Sequence, residues 1–299
     1  MEDAKFNPYL AVFFGVIAVS FSSLFVKLSQ ADAFVIAFYR LFLTFLILLP
    51  FAWREKTQEL RRIPLRDLFL GVLSGLFLAT HFITWFISLR YTSVASSVVL
   101  VTTQPIWVVI GSFLLFKEKI GTKAMIGGAI ALLGSILIGA ADFHFGGRAL
   151  EGDILALVGA VAISGYLIIG RRLRTRLSLS VYTFLAYGSA SLALAGVVVL
   201  AGKSFYPYPP REWLLFFSLA VVCTIFGHTV FNWVLKYVQA SVVAIGVLGE
   251  PVGAIVWASV FLAEHPSPRQ IVAASIIIIG LYIFIKFSRT EKIKNADIQ

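Results

Sequence analysis

Charge is what this sequence has least of: Asp, Glu, Lys and Arg make up 13% of 299 residues, where soluble domains carry about a quarter. Cysteine is almost absent. Cys223 is alone, which excludes a disulfide within the chain. The four histidines, His81, His144, His228 and His265, are scattered with no metal-ligand spacing, so no metal centre is expected. No GxxxxGK[ST] stretch occurs, which argues against a pump driven by its own nucleotide site. Apolar residues run contiguously and do not alternate, which excludes transmembrane β-strands. The net charge of +10 is not a nucleic-acid footprint either, because the basic residues sit in short links between apolar runs.

What remains is hydrophobic: 59% of the chain, arranged in ten runs. They span roughly Leu10–Val26, Ala33–Ala52, Leu68–Leu89, Ser93–Phe116, Gly121–Ala141, Ile154–Gly170, Ser178–Ala201, Trp213–Leu235, Ala240–Ala263 and Gln270–Ile285. Each is close to the ~20 residues that cross a bilayer as a helix. The expectation is an all-α membrane protein of ten transmembrane helices. The first run is short enough for a signal peptide, but its Ala18-Val19-Ser20 reappears as Ala162-Ile163-Ser164 in the sixth, so it reads as a retained span. With both termini inside, internal segments hold eighteen of the 25 Lys and Arg residues and external ones six. The positive-inside rule therefore places both termini in the cytoplasm.

Shifting the sequence by 146 residues aligns its halves without a gap: LRYTSVASSVVLVTTQPIWVVIGSFLLFKE, from Leu89, falls on LKYVQASVVAIGVLGEPVGAIVWASVFLAE, from Leu235. Tyr91/Tyr237, Val101/Val247, Pro105/Pro251 and Glu118/Glu264 are identical, and Gln104 falls on Glu250. Each half, residues 1–145 and 146–299, then has five spans. Five is odd, so the second half should run through the membrane in the opposite sense. Two inverted repeats with a site between them near the midplane are a transporter plan. This arrangement resembles the drug/metabolite transporter superfamily and specifically its EamA family. The resemblance rests on the Leu-Arg-Tyr-Thr and Leu-Lys-Tyr-Val segments, mid-span Pro105 and Pro251, span-ending Glu118 and Glu264, the glycine-rich fifth span and Arg40. It implies secondary transport of small polar metabolites, often export from the bacterial cytoplasm.

Glu250 is the leading candidate site residue. It lies about ten residues into its span, roughly 15 Å deep, where a charge costs several kcal/mol unless it meets water, a partner or a proton. Pro251 removes one backbone N–H and leaves the carbonyl of Val247 without its usual helical partner. Gly246 and Gly253 share the face of Glu250. One reading is a cavity wall offering a carboxylate and a carbonyl to an amine, or carrying a coupling proton. The other is a glutamate hydrogen-bonded between helices packed through those glycines. Gln104 and Pro105 are the repeat-related pair, flanked by Thr102, Thr103 and Trp107, whose alternative roles are back-bonding and packing.

Phe77, His81 and Trp85 form one stripe at i, i+4, i+8, and Thr224, His228 and Asn232 form another. Such polar lines should face the protein interior. Ser20, Ser23 and Lys27 make a weaker line, with Lys27 snorkelling. Arg40 could snorkel, pair, or anchor a substrate carboxylate. Glu118 and Glu264 read as loop and packing residues beside helix caps. Gly71/Gly75 and Gly249/Gly253 have the spacing of helix–helix contacts, within a subunit or across a homodimer.

The composite expectation is a secondary transporter in the bacterial cytoplasmic membrane. It would export amino acids or related compounds by alternating access, with no cofactor, driven either by a proton exchanged at Glu250 or by the substrate gradient alone. Its substrate site would draw on Glu250, Gln104, His81, Trp85, His228, Asn232, Trp107, Thr103 and Arg40. The rivals are a polytopic membrane enzyme, which would need grouped catalytic side chains near an interface, and a channel, which would need a filter loop.

Overall fold

A computed structural model describes Ala4 and residues 6–140, 147–263 and 265–296. The junction of the two halves at 145/146, His144 and Glu264 lie outside these residues. Among the described residues, ten helical spans are long and apolar enough to cross a membrane: Pro8–Leu28, Ala33–Trp53, Leu65–Tyr91, Ser96–Phe116, Thr122–Gly139, Gly147–Arg174, Leu179–Leu200, Pro210–Val234, Ala240–Phe261 and Pro268–Ser288. The third and sixth reach past their apolar runs at both ends, taking charged and polar residues into their terminal turns. Helices are the outcome because hydrocarbon offers no partner to an N–H or C=O, so each segment must satisfy its own backbone.

Helix ends are closed by local side chains. Asn7 accepts from the Tyr9 N–H at 3.0 Å just before Pro8. Asp32 accepts from Phe34 N–H at 3.0 Å. At the end of the sixth span the Leu173 carbonyl accepts from the Arg176 and Leu177 N–H groups, and buried Arg174 donates to the carbonyl of Leu177 in the link that follows.

Four spans are interrupted. The first breaks at Phe21, between helices Pro8–Ser20 and Ser22–Leu28. The fourth breaks at Thr102 and Thr103, ahead of Pro105, and the ninth tightens into a 3₁₀ turn, Val247–Gly249, ahead of Pro251. These two breaks match under the 146-residue shift. The eighth span winds as a π-helix over Leu219–Thr229.

The 3₁₀ turn corrects one expectation. The Val247 carbonyl is not free, because the Glu250 N–H reaches back to it. A proline removes the i+4 donor, and tightening the turn supplies an i+3 donor instead.

Spans pair in a regular way. The fifth packs along the tenth and the second along the seventh. The third packs along the sixth, as the first packs along the eighth. Small residues permit the closest approaches. Gly127 and Gly280 meet backbone to backbone, so a side chain at Gly280 would run into Gly127 and Ala131. Gly71 and Gly75 lie against Leu185, Ala186 and Ser189 of the seventh span, and Gly249 and Gly253 against Val16 and Ser20 of the first. Both GxxxG pairs therefore make contacts within the chain.

Gly280→Leu should destabilise the protein by roughly 1–3 kcal/mol through overpacking, seen as a lower thermal midpoint in detergent. Gly196→Leu is the control, because an added Cβ there meets nothing within 4 Å, and its midpoint should hold.

Candidate functional site

The helix breaks surround a cavity. Its volume is about 30 Å³, room for one or two waters. His81 and Trp85 come to it from the third span, Val101, Thr102 and Gln104 from the fourth, and Ile163 and Leu167 from the sixth. Val19 and Ser22 of the first span, His228 and Phe231 of the eighth, and Val243, Val247 and Glu250 of the ninth close the wall. Both halves of the sequence contribute polar side chains. Gln104 and Glu250, repeat-related in sequence, face the same space.

Glu250 is 7% exposed. Among the described residues, nothing within hydrogen-bond or ion-pair distance of its carboxylate is found. The Trp85 indole N–H is likewise buried and unpaired. His81 Nδ1 lies 3.0 Å from the Gly159 carbonyl. Since that oxygen can only accept, Nδ1 carries a proton, and Nε2 is the ring nitrogen left for another partner. The His81 ring stacks on Trp85 at 5.7 Å and approaches His228 at 6.5 Å between centroids. The cavity therefore presents an acid group, an indole donor, an amide and two imidazoles on an apolar aromatic lining. Such a surface can hold a small polar molecule by a few directed contacts.

Arg40 stands one layer behind this wall. It is fully buried and so does not snorkel. Its guanidinium lies over the Phe82 ring at 4.2 Å, Nε donates to Thr224 Oγ1 at 2.9 Å, and Nη1 donates to Ser22 Oγ. Nη2 is unpaired. Among the described residues no carboxylate pairs with Arg40 at salt-bridge distance, although Glu250 is near enough to feel its charge.

The other sequence candidates lie elsewhere. Asn232 is fully buried in a tyrosine network: it accepts from Tyr166 OH at 2.9 Å and its Nδ2 faces Tyr187 OH at 3.1 Å, while Tyr187 OH meets Thr229 Oγ1 at 2.9 Å. Thr103 bonds back to the Leu100 carbonyl at 2.7 Å, and Trp107 is 42% exposed, outside the cavity lining. The stripe Thr224–His228–Asn232 thus sends its members to three places: Arg40, the cavity and the tyrosines. The segment carrying Thr224 and His228 is a π-helix, whose backbone bonds close at i+5, and within it the Thr224 hydroxyl donates to the Leu219 carbonyl at 3.0 Å.

Ser22, Phe82, Tyr166 and Tyr187 were not singled out by sequence. Ser22 belongs to the Ser20–Ser23 polar cluster, but the break at Phe21 rotates it, and not Ser23, toward the cavity. Ser20 instead accepts from Trp257 Nε1 at 2.8 Å.

The model of the EamA-like transporter family matches this chain twice, over residues 7–140 and 150–286. An uncharacterized transporter of Archaeoglobus fulgidus is 23% identical over 94% of this chain and 97% of its own length. A riboflavin transporter of Fusobacterium nucleatum is 24% identical over 76% of this chain and 80% of its own. A solved crystal structure superposes with a TM-score of 0.78 at 19% identity, covering 95% of this chain and 98% of that one; the likeness is one of fold.

Asn232→Ala would leave the hydroxyls of Tyr166 and Tyr187 short of a partner in a buried setting. The expected cost is about 1–3 kcal/mol, measured as a fall in thermal midpoint, whereas Trp107→Ala at its half-exposed position should cost less than about 1 kcal/mol.

Proposed function

The chain belongs to the EamA-like transporter family, and on that premise we propose that it is a secondary carrier that exports amino acids or closely related small metabolites by alternating access. One observation carries this reading: His81 and Gln104 from the first half and His228 and Glu250 from the second converge on one cavity at the level of the helix breaks. A carrier needs a central site whose wall is shared between two moving parts. The matching breaks in the fourth and ninth spans support two repeats of inverted sense, and the pairing of fifth with tenth and second with seventh supports a two-fold relation between them.

The substrate chemistry follows from the wall. Glu250, with no partner of its own among the described residues, offers a negative pole for an ammonium group. Arg40, held by Ser22 and Thr224 with Nη2 unpaired, supplies the positive pole behind it. Opposite poles on an aromatic lining suit a zwitterion with an apolar side chain. A site of about 30 Å³ must widen to admit it, which a break in each of four spans makes feasible. Glu250 can also carry a coupling proton, exchanged against substrate. The bias of basic residues towards the links on one side supports cytoplasmic termini, in keeping with a carrier of a bacterial inner membrane.

A second reading comes from the relative named as a riboflavin transporter: the rings of His81, Trp85, His228 and Phe231 could stack a planar heterocycle. A flux panel holding both amino acids and riboflavin separates the two.

In liposomes, the protein should show saturable counterflow, the mark of a carrier as opposed to a channel or an enzyme. Glu250→Gln should cut that flux by about tenfold or more, the factor that loss of one charge-assisted contact gives, and should remove its dependence on pH. Normal flux with normal pH dependence in this variant would refute a role for the carboxylate.

A further inference from the structure

The two ends of the bundle are not in the same condition. At one end the link after the fourth span is tied to the second half. Arg171 Nε meets Glu118 Oε1 at 3.2 Å, and Arg171 Nη1 donates to the Leu235 carbonyl at 2.7 Å. Beside this, Gln239 Nε2 reaches the Lys119 carbonyl at 3.4 Å. Glu118 and Arg171 are largely shielded, their side chains 13% and 20% exposed. That shielding sets the pair apart from a solvated surface bridge, which is worth little. The Arg171 guanidinium joins three chain segments at one point, and it lies one helical turn beyond Leu167, which lines the central cavity. Gln239 lies one turn from Val243, on the same wall. The tie therefore sits between that end and the cavity.

The repeat identifies the corresponding place at the other end. A shift of 146 residues takes Gln239 to Ser93 and Lys119 to His265. These two do not meet. Both line a cleft of about 600 Å³ that also borders Lys27, Val98, Pro251 and Ala258. Ser93 instead caps its own helix, accepting from Ser96 N–H at 3.0 Å. The helices behave the same way. Ala240–Gly246 packs closely on Gln104–Phe116, while the repeat-related pair, Val94–Val101 and Glu250–Leu262, touches less extensively and borders the cleft. Position 171 falls on Phe25 under the shift, so the first half has no arginine to make the equivalent tie. One end is tied by an arginine that joins the two halves of the chain, and at the other the repeat-related position is Phe25, with Lys27 on the wall of an open cleft.

We propose that the Glu118–Arg171 pair, with the Leu235 carbonyl, is the latch of the gate on the Glu118 face, and that its breakage is what lets the carrier open there and close at the Ser93–His265 cleft. The proposal rests on the alternating-access reading above. It assigns Glu118 and Arg171 a positioning role: they bias the two conformations and do not touch substrate.

Thiol labelling from each side of the membrane tests it. In a Cys223→Ser background, Leu167→Cys reports access from the latched face and Ala254→Cys reports access from the cleft. A charged, membrane-impermeant thiol reagent is the probe. Glu118→Gln should raise the labelling rate at Leu167→Cys by about tenfold, the factor expected when one charge-assisted hydrogen bond leaves one of two states. The same change should lower the rate at Ala254→Cys. The double reversal Glu118→Arg with Arg171→Glu should bring both rates back toward the parent values, and it serves as the second variant if Glu118→Gln folds poorly. Rates that stay level at both probes, or rise at both, overturn the latch. Counterflow of the parent protein is measured alongside. Counterflow present with unmoved labels overturns the latch alone, and absent counterflow overturns the carrier reading on which the latch rests.

Discussion

Hydrocarbon cannot hydrogen-bond, and most of this structure follows from that. Each backbone donor and acceptor within the bilayer must be answered by the chain itself, so the protein is built from helices. Each polar side chain at depth must face another helix or a hollow. The buried polar groups obey this rule in two different ways. Tyr166, Tyr187, Thr229 and Asn232 answer one another and form a sealed network. Glu250, the Trp85 indole and one Arg40 amino group are not answered by the described residues and lie at or just behind one cavity wall, while unanswered oxygens of Ser112, Glu118 and Asp153 lie away from it. A sealed network contributes rigidity. Unanswered groups around a hollow are groups with capacity left for a ligand or water.

The breaks in the spans create that hollow. An uninterrupted helix presents only side chains, and its regular surface packs tightly against neighbours. The proline in each of the fourth and ninth spans removes a donor, and the preceding turn tightens or breaks in response. The helix axis is redirected just where Gln104 and Glu250 leave it. In the eighth span the π-helix performs a related task by changing which residues share a face. It leaves His228 on the cavity while Thr224 holds Arg40. The arginine is a second ionisable group beside this wall, held by Thr224 and Ser22 and lying over the Phe82 ring.

Much of this was legible in the sequence, and the reasons for success and failure are physical. The ten spans could be read because a bilayer imposes a length and an apolar composition on each. The breaks could be located because proline carries its effect wherever it sits. Glu250, Gln104, His81, Trp85 and His228 could be picked out because polar residues are rare at depth, and the structure brings these five to one wall. Asn232 and Thr103 share the same rarity but meet partners locally, which spacing alone does not reveal. The stripe of Thr224, His228 and Asn232 does face the interior, but the π-helix has no signature in composition, and which member reaches the cavity was not legible. Ser22 was passed over for its neighbours because the break at Phe21 carries no proline or glycine to mark it. Glu118 read as a packing residue, since its partner Arg171 lies 53 positions away and ion pairs between distant segments leave no local pattern.

The central claim is that the 250 side chain borders a water-accessible hollow and not lipid. The most direct measurement places a cysteine there, in a Cys223→Ser background, and compares its reaction with a small membrane-impermeant thiol reagent and with a lipid-soluble one. The account predicts modification by the impermeant reagent, faster for the 250 thiol than for a thiol placed at exposed Leu192 on the outside of the bundle. A 250 thiol that ignores the water-soluble reagent and reacts only with the lipid-soluble one would contradict it.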